Sequence, residues 1–79
     1  MSILHKDRFI GRFDPKLERA SGTLRLKALY LEPGVELAGR LVADVAAAMR
    51  SFVAQHAARN LVIERSEPAE FGAQLLAAL

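Results

Sequence analysis

The chain has 79 residues, 52% hydrophobic and 25% charged, with neither cysteine nor tryptophan, which describes one small folded domain rather than a disordered tail or a multidomain enzyme. Without cysteine, disulfides and thiolate metal sites are excluded, so stability has to come from close packing, self-association or neighbouring parts of a longer protein. The formal net charge of +2 is unevenly placed: residues 1–31 carry seven basic side chains against three acidic ones, and residues 32–79 carry four against six.

Ile3-Leu4 and the run Phe9 to Phe13 flank the polar quartet His5-Lys6-Asp7-Arg8, which reads as two short strands joined by a tight turn. A two-residue period puts Phe9, Gly11 and Phe13 on one face, expected to be inward, and Arg8, Ile10 and Arg12 on the other. Asp14 to Gly22 reads as a polar connection, opened by Asp-Pro and closed by Ser-Gly. Thr23 to Leu31 then alternates, with Leu24, Leu26, Ala28 and Tyr30 on one face and Arg25, Lys27 and Leu29 on the other. It ends at Glu32-Pro33-Gly34, where proline removes a donor and glycine permits a turn.

From Glu36 to Arg59 the pattern becomes helical, with Leu37, Leu41, Val45, Ala48, Phe52 and His56 three or four residues apart. Asn60 breaks it, and Leu61-Val62-Ile63 reads as a short buried strand. Ser66 to Pro68 opens a second helix, with Phe71, Leu75 and Leu76 as its apolar stripe. The expected fold is therefore α+β in the order ββ-β-α-β-α. A small antiparallel sheet of about four strands packs on one long helix, and a short C-terminal helix follows. The expected core is Phe9, Phe13, Leu24, Leu26, Tyr30, Leu41, Val45, Phe52 and Ile63. No segment approaches the ~20 apolar residues of a membrane span, and the first seven residues lack the charged-then-apolar pattern of a secretory leader. A cytoplasmic location is the expectation.

Chemistry-bearing residues are sparse. His5 and His56 lie in a turn and near a helix end, with no second ligand at metal-binding spacing. The four serines lack a nucleophile setting, and the five glycines are too scattered for a phosphate-cradling loop. Asp14 and Glu18 share the polar connection, four residues apart, as a candidate carboxylate pair, and a salt bridge from Asp14 to Lys16 or Arg19 that shapes the connection is the simpler role. No catalytic residue, cofactor or metal is expected. The informative feature is basic: Arg12, Lys16 and Arg19 crowd one turn, with Arg25 and Lys27 on the next strand. Such a cluster either neutralises phosphates or solvates a sheet face.

The same run, Gly11-Arg12-x-Asp14-x-Lys16-x-x-Arg19-x-x-Gly22-x-Leu24, resembles the C-terminal part of the winged-helix DNA-binding proteins of the YcaQ type. That family includes DNA glycosylases that unhook interstrand crosslinks. The resemblance extends to Ile3-Leu4-His5, Asp7-Arg8 and Tyr30-Leu31-Glu32-Pro33-Gly34, and covers essentially the whole chain. Where the family usually has leucine-proline this chain has Met1-Ser2, and where it has glycine in the first turn this chain has Lys6. The resemblance implies a C-terminal accessory domain, or a truncated piece, of a longer protein whose glycosylase chemistry lies upstream. It implies DNA, contacted non-specifically at the phosphate backbone, and the upstream winged-helix domains as partners. Arg12, Lys16, Arg19, Arg25 and Lys27 are the expected nucleic-acid-binding residues. The rival expectation is a small structural module that forms a homodimer and has no nucleic-acid role.

Overall fold

A computed structural model describes all residues, 1–79. The elements are β1 (Ser2–His5), β2 (Arg8–Glu18), β3 (Thr23–Leu31), α1 (Gly39–Gln55), β4 (Asn60–Ile63), β5 (Ser66–Glu67) and α2 (Ala69–Ala78). The fold is α+β, as the patterns predict, with one sheet in the order β1-β2-β3-β4 and β5 also on β3. The sheet is mixed, however. β1, β2 and β3 are antiparallel neighbours, while β4 and β5 both join β3 in parallel. The reason is topological: α1 carries the chain back along the sheet, and a strand reached through a helical crossover enters parallel to the one before it. β3 is thus bonded on both sides. β4 and β5 form one interrupted edge, bridged by Glu64 N–H donating to the Leu26 carbonyl (2.8 Å) and Leu29 N–H donating to that of Arg65 (2.9 Å).

The β1–β2 turn is two residues long, and Lys6 and Asp7 both occupy the left-handed region (φ 53° and 63°). A turn of that hand matches the twist of a two-stranded ribbon. β2 is longer than expected. The Asp14–Gly22 connection is strand as far as Glu18, and only Arg19-Ala20-Ser21-Gly22 turns. Pro15 is tolerated because β1 has already ended: Phe13 directs its N–H outward to the Met1 carbonyl (2.8 Å), and Pro15, two residues on, directs its donorless nitrogen the same way, to an unpaired edge.

Two bulges set the side-chain phase. On β2, Ile3 pairs with Gly11 and Leu4 with Phe9, leaving Ile10 as the extra residue. Ile10 (2% exposed) therefore turns inward beside Gly11, and Phe9 (45% exposed) turns out, correcting the expected faces of this strand. On β3, Asp14 pairs with Ala28 and Pro15 with Leu26, leaving Lys27 extra. Alternation then restarts one residue late, so Leu24 and Leu26 are followed inward by Leu29 and Leu31. Tyr30 is half-buried on the opposite face rather than in the core.

α1 is shorter than the Glu36–Arg59 pattern at both ends. It begins after the extended Ala38 and ends in a motif in which Ala58 N–H donates to the Val53 carbonyl (3.0 Å) and Ala57 N–H to that of Ala54 (3.1 Å). Ala57 takes the left-handed conformation (φ 52°) this ending requires. The inner stripe is Leu41, Val42, Val45, Ala46 and Met49, so Ala48 faces solvent. Phe52 and Ile63 are partly buried against the core. Phe52 meets the edge of Phe13 at 5.5 Å and 86°. α2 completes the layer with Phe71 and Leu75, both 0% exposed. Its first turn contains a hydroxyl bridge: Gly72 N–H donates to Ser66 Oγ (2.9 Å), which donates to the Pro68 carbonyl (2.7 Å). The core lies between the helices and one face of the sheet, and it comprises Ile3, Ile10, Phe13, Leu26, Leu29, Leu31, Leu41, Val45, Ala46, Met49, Phe71 and Leu75.

Candidate nucleic-acid interface

With both helices on one side, the other face of the sheet is open. Alternation and the two bulges place on it Leu4 from β1, then Phe9, Arg12, Asp14, Lys16 and Glu18 from β2, Arg25, Lys27, Ala28 and Tyr30 from β3, and Val62 and Glu67 from β4 and β5. Four of the five basic residues predicted from sequence, Arg12, Lys16, Arg25 and Lys27, therefore share one surface. Arg19 sits in the Arg19–Gly22 turn at its end.

These cations are not equivalent. Arg25, cross-strand from Lys16, donates to Glu18 Oε1 from Nε (3.2 Å) and Nη2 (2.9 Å), and its Nη1 lies 3.3 Å from Glu64 Oε2. The hydrogen bonds and charge of Glu18, reinforced by Glu64, raise its pKa further against partial desolvation. Its charge is thus committed to two carboxylates. Arg12 lies over the Tyr30 ring, 5.3 Å from its centroid. Arg12, Lys16, Arg19 and Lys27 are exposed and make no ion pair. The acids are only partly compensated: Arg25 is shared by Glu18 and Glu64, so one of those two charges stays unbalanced, Glu67 faces Arg65 at 2.7 Å, and Asp14 makes no ion pair. The expected bridge from Asp14 to Lys16 or Arg19 does not form, because strand alternation separates neighbouring side chains and Asp14 stands opposite Ala28 instead. The carboxylate that shapes the hairpin is Glu18.

Two members of this surface escaped the sequence reading, Phe9 and Tyr30, both assigned there to the core. One signal was legible: Leu24, Leu26, Leu29 and Leu31 are spaced two, three, two, which is the mark of a bulge between two inward pairs.

The remaining candidates lie elsewhere. His5 Nε2 is 2.7 Å from Asp44 Oδ2 and fastens the first hairpin to α1. The hydrogen bond from His5 holds Asp44 below the usual carboxylate range, opposed by partial desolvation and assisted by the charges of His5, Arg40 and Lys6. His56 packs on Phe52 with centroids 4.4 Å apart. No three His, Asp or Glu side chains cluster. An apolar groove of about 220 Å³ runs between β1 and α1, lined by Ile3, Phe13, Val45, Ala48, Met49 and Phe52 among others. None of Arg12, Lys16, Arg19 and Lys27 lines it. No helix is long and apolar enough to cross a membrane.

No protein-family model, no curated protein and no solved structure matches the chain.

Proposed function

We propose that this is an accessory DNA-binding domain, acting non-specifically on the phosphate backbone within a winged-helix protein of the crosslink-repair glycosylase type, in the cytoplasm. The observation that carries the DNA part is the charge on the open sheet face. Arg12, Lys16 and Lys27, with Arg19 at the end, are four cations without carboxylate partners, and they outnumber the two acidic charges left uncompensated, Asp14 and one of the Glu18–Glu64 pair that shares Arg25. Phosphates are the ligands that such a surface attracts, with an affinity that falls with salt. Contacts of this kind position a protein without reading sequence. The family part rests on the residue pattern, supported by one backbone detail: Lys6, where the family carries glycine, has a φ of 53°, a conformation that favours glycine.

The test is fluorescence anisotropy of a labelled duplex at low and moderate salt. Lys16→Ala/Arg19→Ala should weaken binding equally on unrelated sequences and reduce the salt slope by about 2. Arg25→Gln should also weaken binding, by freeing Glu18 and Glu64 on the same face rather than by losing a phosphate contact. No binding of either duplex or single strand at low salt refutes the reading. The apolar groove between β1 and α1 and the unpaired edge of β2 at Pro15 and Leu17 favour a second reading, a structural module that forms a homodimer. Light scattering that finds a stable dimer with no affinity for polyanions would establish it.

A further inference from the structure

The open face carries more than charge. The bulge on β2 leaves Ile10 and Gly11 both buried, which makes Phe9 and Arg12 successive exposed residues, no more than about 10 Å apart. Phe9 is 45% exposed. Next along the face, the exposed Arg12 places its guanidinium carbon 5.3 Å from the Tyr30 ring centroid. Beyond these two flat surfaces lie Lys16 on the same strand and Lys27, which the second bulge pushes out of β3. The order across the face is therefore ring, guanidinium on ring, then two unpaired ammonium groups, with the Asp14 carboxylate between Arg12 and Lys16 along β2.

We propose that this face binds single-stranded DNA in preference to duplex, with one unpaired base stacked on Phe9, a second on the Arg12–Tyr30 pair, and the adjoining phosphates on Lys16 and Lys27. This rests on the nucleic-acid reading above and adds a substrate form to it. In a duplex the base faces are hidden inside the stack, so a flat sheet meets only phosphates and Phe9 contributes nothing. In a single strand the faces are free, and aromatic rings and guanidinium planes on an open sheet are the surfaces they stack on. Stacking tolerates any base, so no sequence preference is expected. Charge decides against an apolar protein partner, because burying this face under one would strand Arg12, Lys16 and Lys27 without counter-charges.

The test compares a labelled 15-nucleotide single strand with a duplex of the same length by anisotropy, using the intact chain. The parent should bind the single strand more tightly. Phe9→Ala should weaken single-strand binding about 5- to 150-fold and leave duplex binding unchanged. Arg12→Lys keeps the charge and removes the plane, so it should show the same split. Tyr30 is the one tyrosine and there is no tryptophan, so intrinsic fluorescence reports this site directly. Quenching by the single strand and not by the duplex is expected. If duplex and single strand bind equally and Phe9→Ala changes neither, stacking is overturned and the phosphate reading stands. If neither binds, both fall. If Phe9→Ala instead dissolves a dimer that light scattering detects in the parent, the face is a protein interface and the proposal is overturned.

Discussion

Gly11→Ala tests whether the β2 bulge and the central strand are packed as described. A Cβ at Gly11 would lie 2.1 Å from the Tyr30 carbonyl oxygen, 3.1 Å from its carbonyl carbon and 3.2 Å from Leu31 Cα. Ordinary contact begins near 3.4 Å, so the oxygen has to retreat by at least 1.3 Å. None of these atoms can swing aside as a side-chain end would. They are the backbone of β3, bonded to β2 on one side and to β4 and β5 on the other. Overpacking costs about 1–3 kcal/mol, and stretching the neighbouring Glu32-to-Ile10 backbone bond, now 2.7 Å, adds about 1 kcal/mol. A domain of this length has about 4–12 kcal/mol of stability in all, and each kcal/mol moves Tm by about 4–8 °C. Thermal unfolding followed by circular dichroism should show Tm lowered by about 8–32 °C. Gly39→Ala, at the start of α1 with nothing within 4 Å of the added carbon, is the control and should not lower Tm. A Gly11→Ala protein melting within about 3 °C of the parent would refute the register.

Two further predictions concern α1. Ala57 ends the helix with a φ of 52°, a conformation costing a residue with a Cβ about 1 kcal/mol relative to glycine, so Ala57→Gly should raise Tm by about 4–8 °C in the same assay; an unchanged Tm would mean the helix frays rather than stops there. Asp44 is held below its ordinary pKa by His5, so its contribution to stability is present above the unfolded carboxylate value of about 3.9 and is lost as pH falls through the lower folded value. Urea titrations should find the parent more stable than Asp44→Asn at pH 7 and the two converging well below pH 4. A difference that persists at low pH would show that the His5–Asp44 contact is not what separates them.

Much of the fold was legible because its signals are local. The Thr23–Leu31 strand, the turn at Pro33-Gly34 and the long helical period all reside in short stretches of chain, and each appears in the structure close to its predicted place, although the helix stops before the left-handed Ala57 and Asn60 instead opens β4. The basic cluster was likewise visible, since counting charges needs no coordinates. What sequence periodicity missed depends on partners distant in the chain. Pro15 reads as a turn until β1 is seen to stop short of it, leaving an edge where a missing donor costs nothing. Phe9 and Tyr30 read as core because alternation is counted from a single starting phase, and a bulge, defined by the facing strand, resets that phase. Parallel pairing of β4 follows from where α1 delivers the chain, and the division of cations into free and committed follows from Glu64 lying beside Arg25 across that pairing. Sequence alone determined which side chains are available; tertiary structure decided which face each one shares, because strand register is set by backbone hydrogen bonds between segments that periodicity treats one at a time.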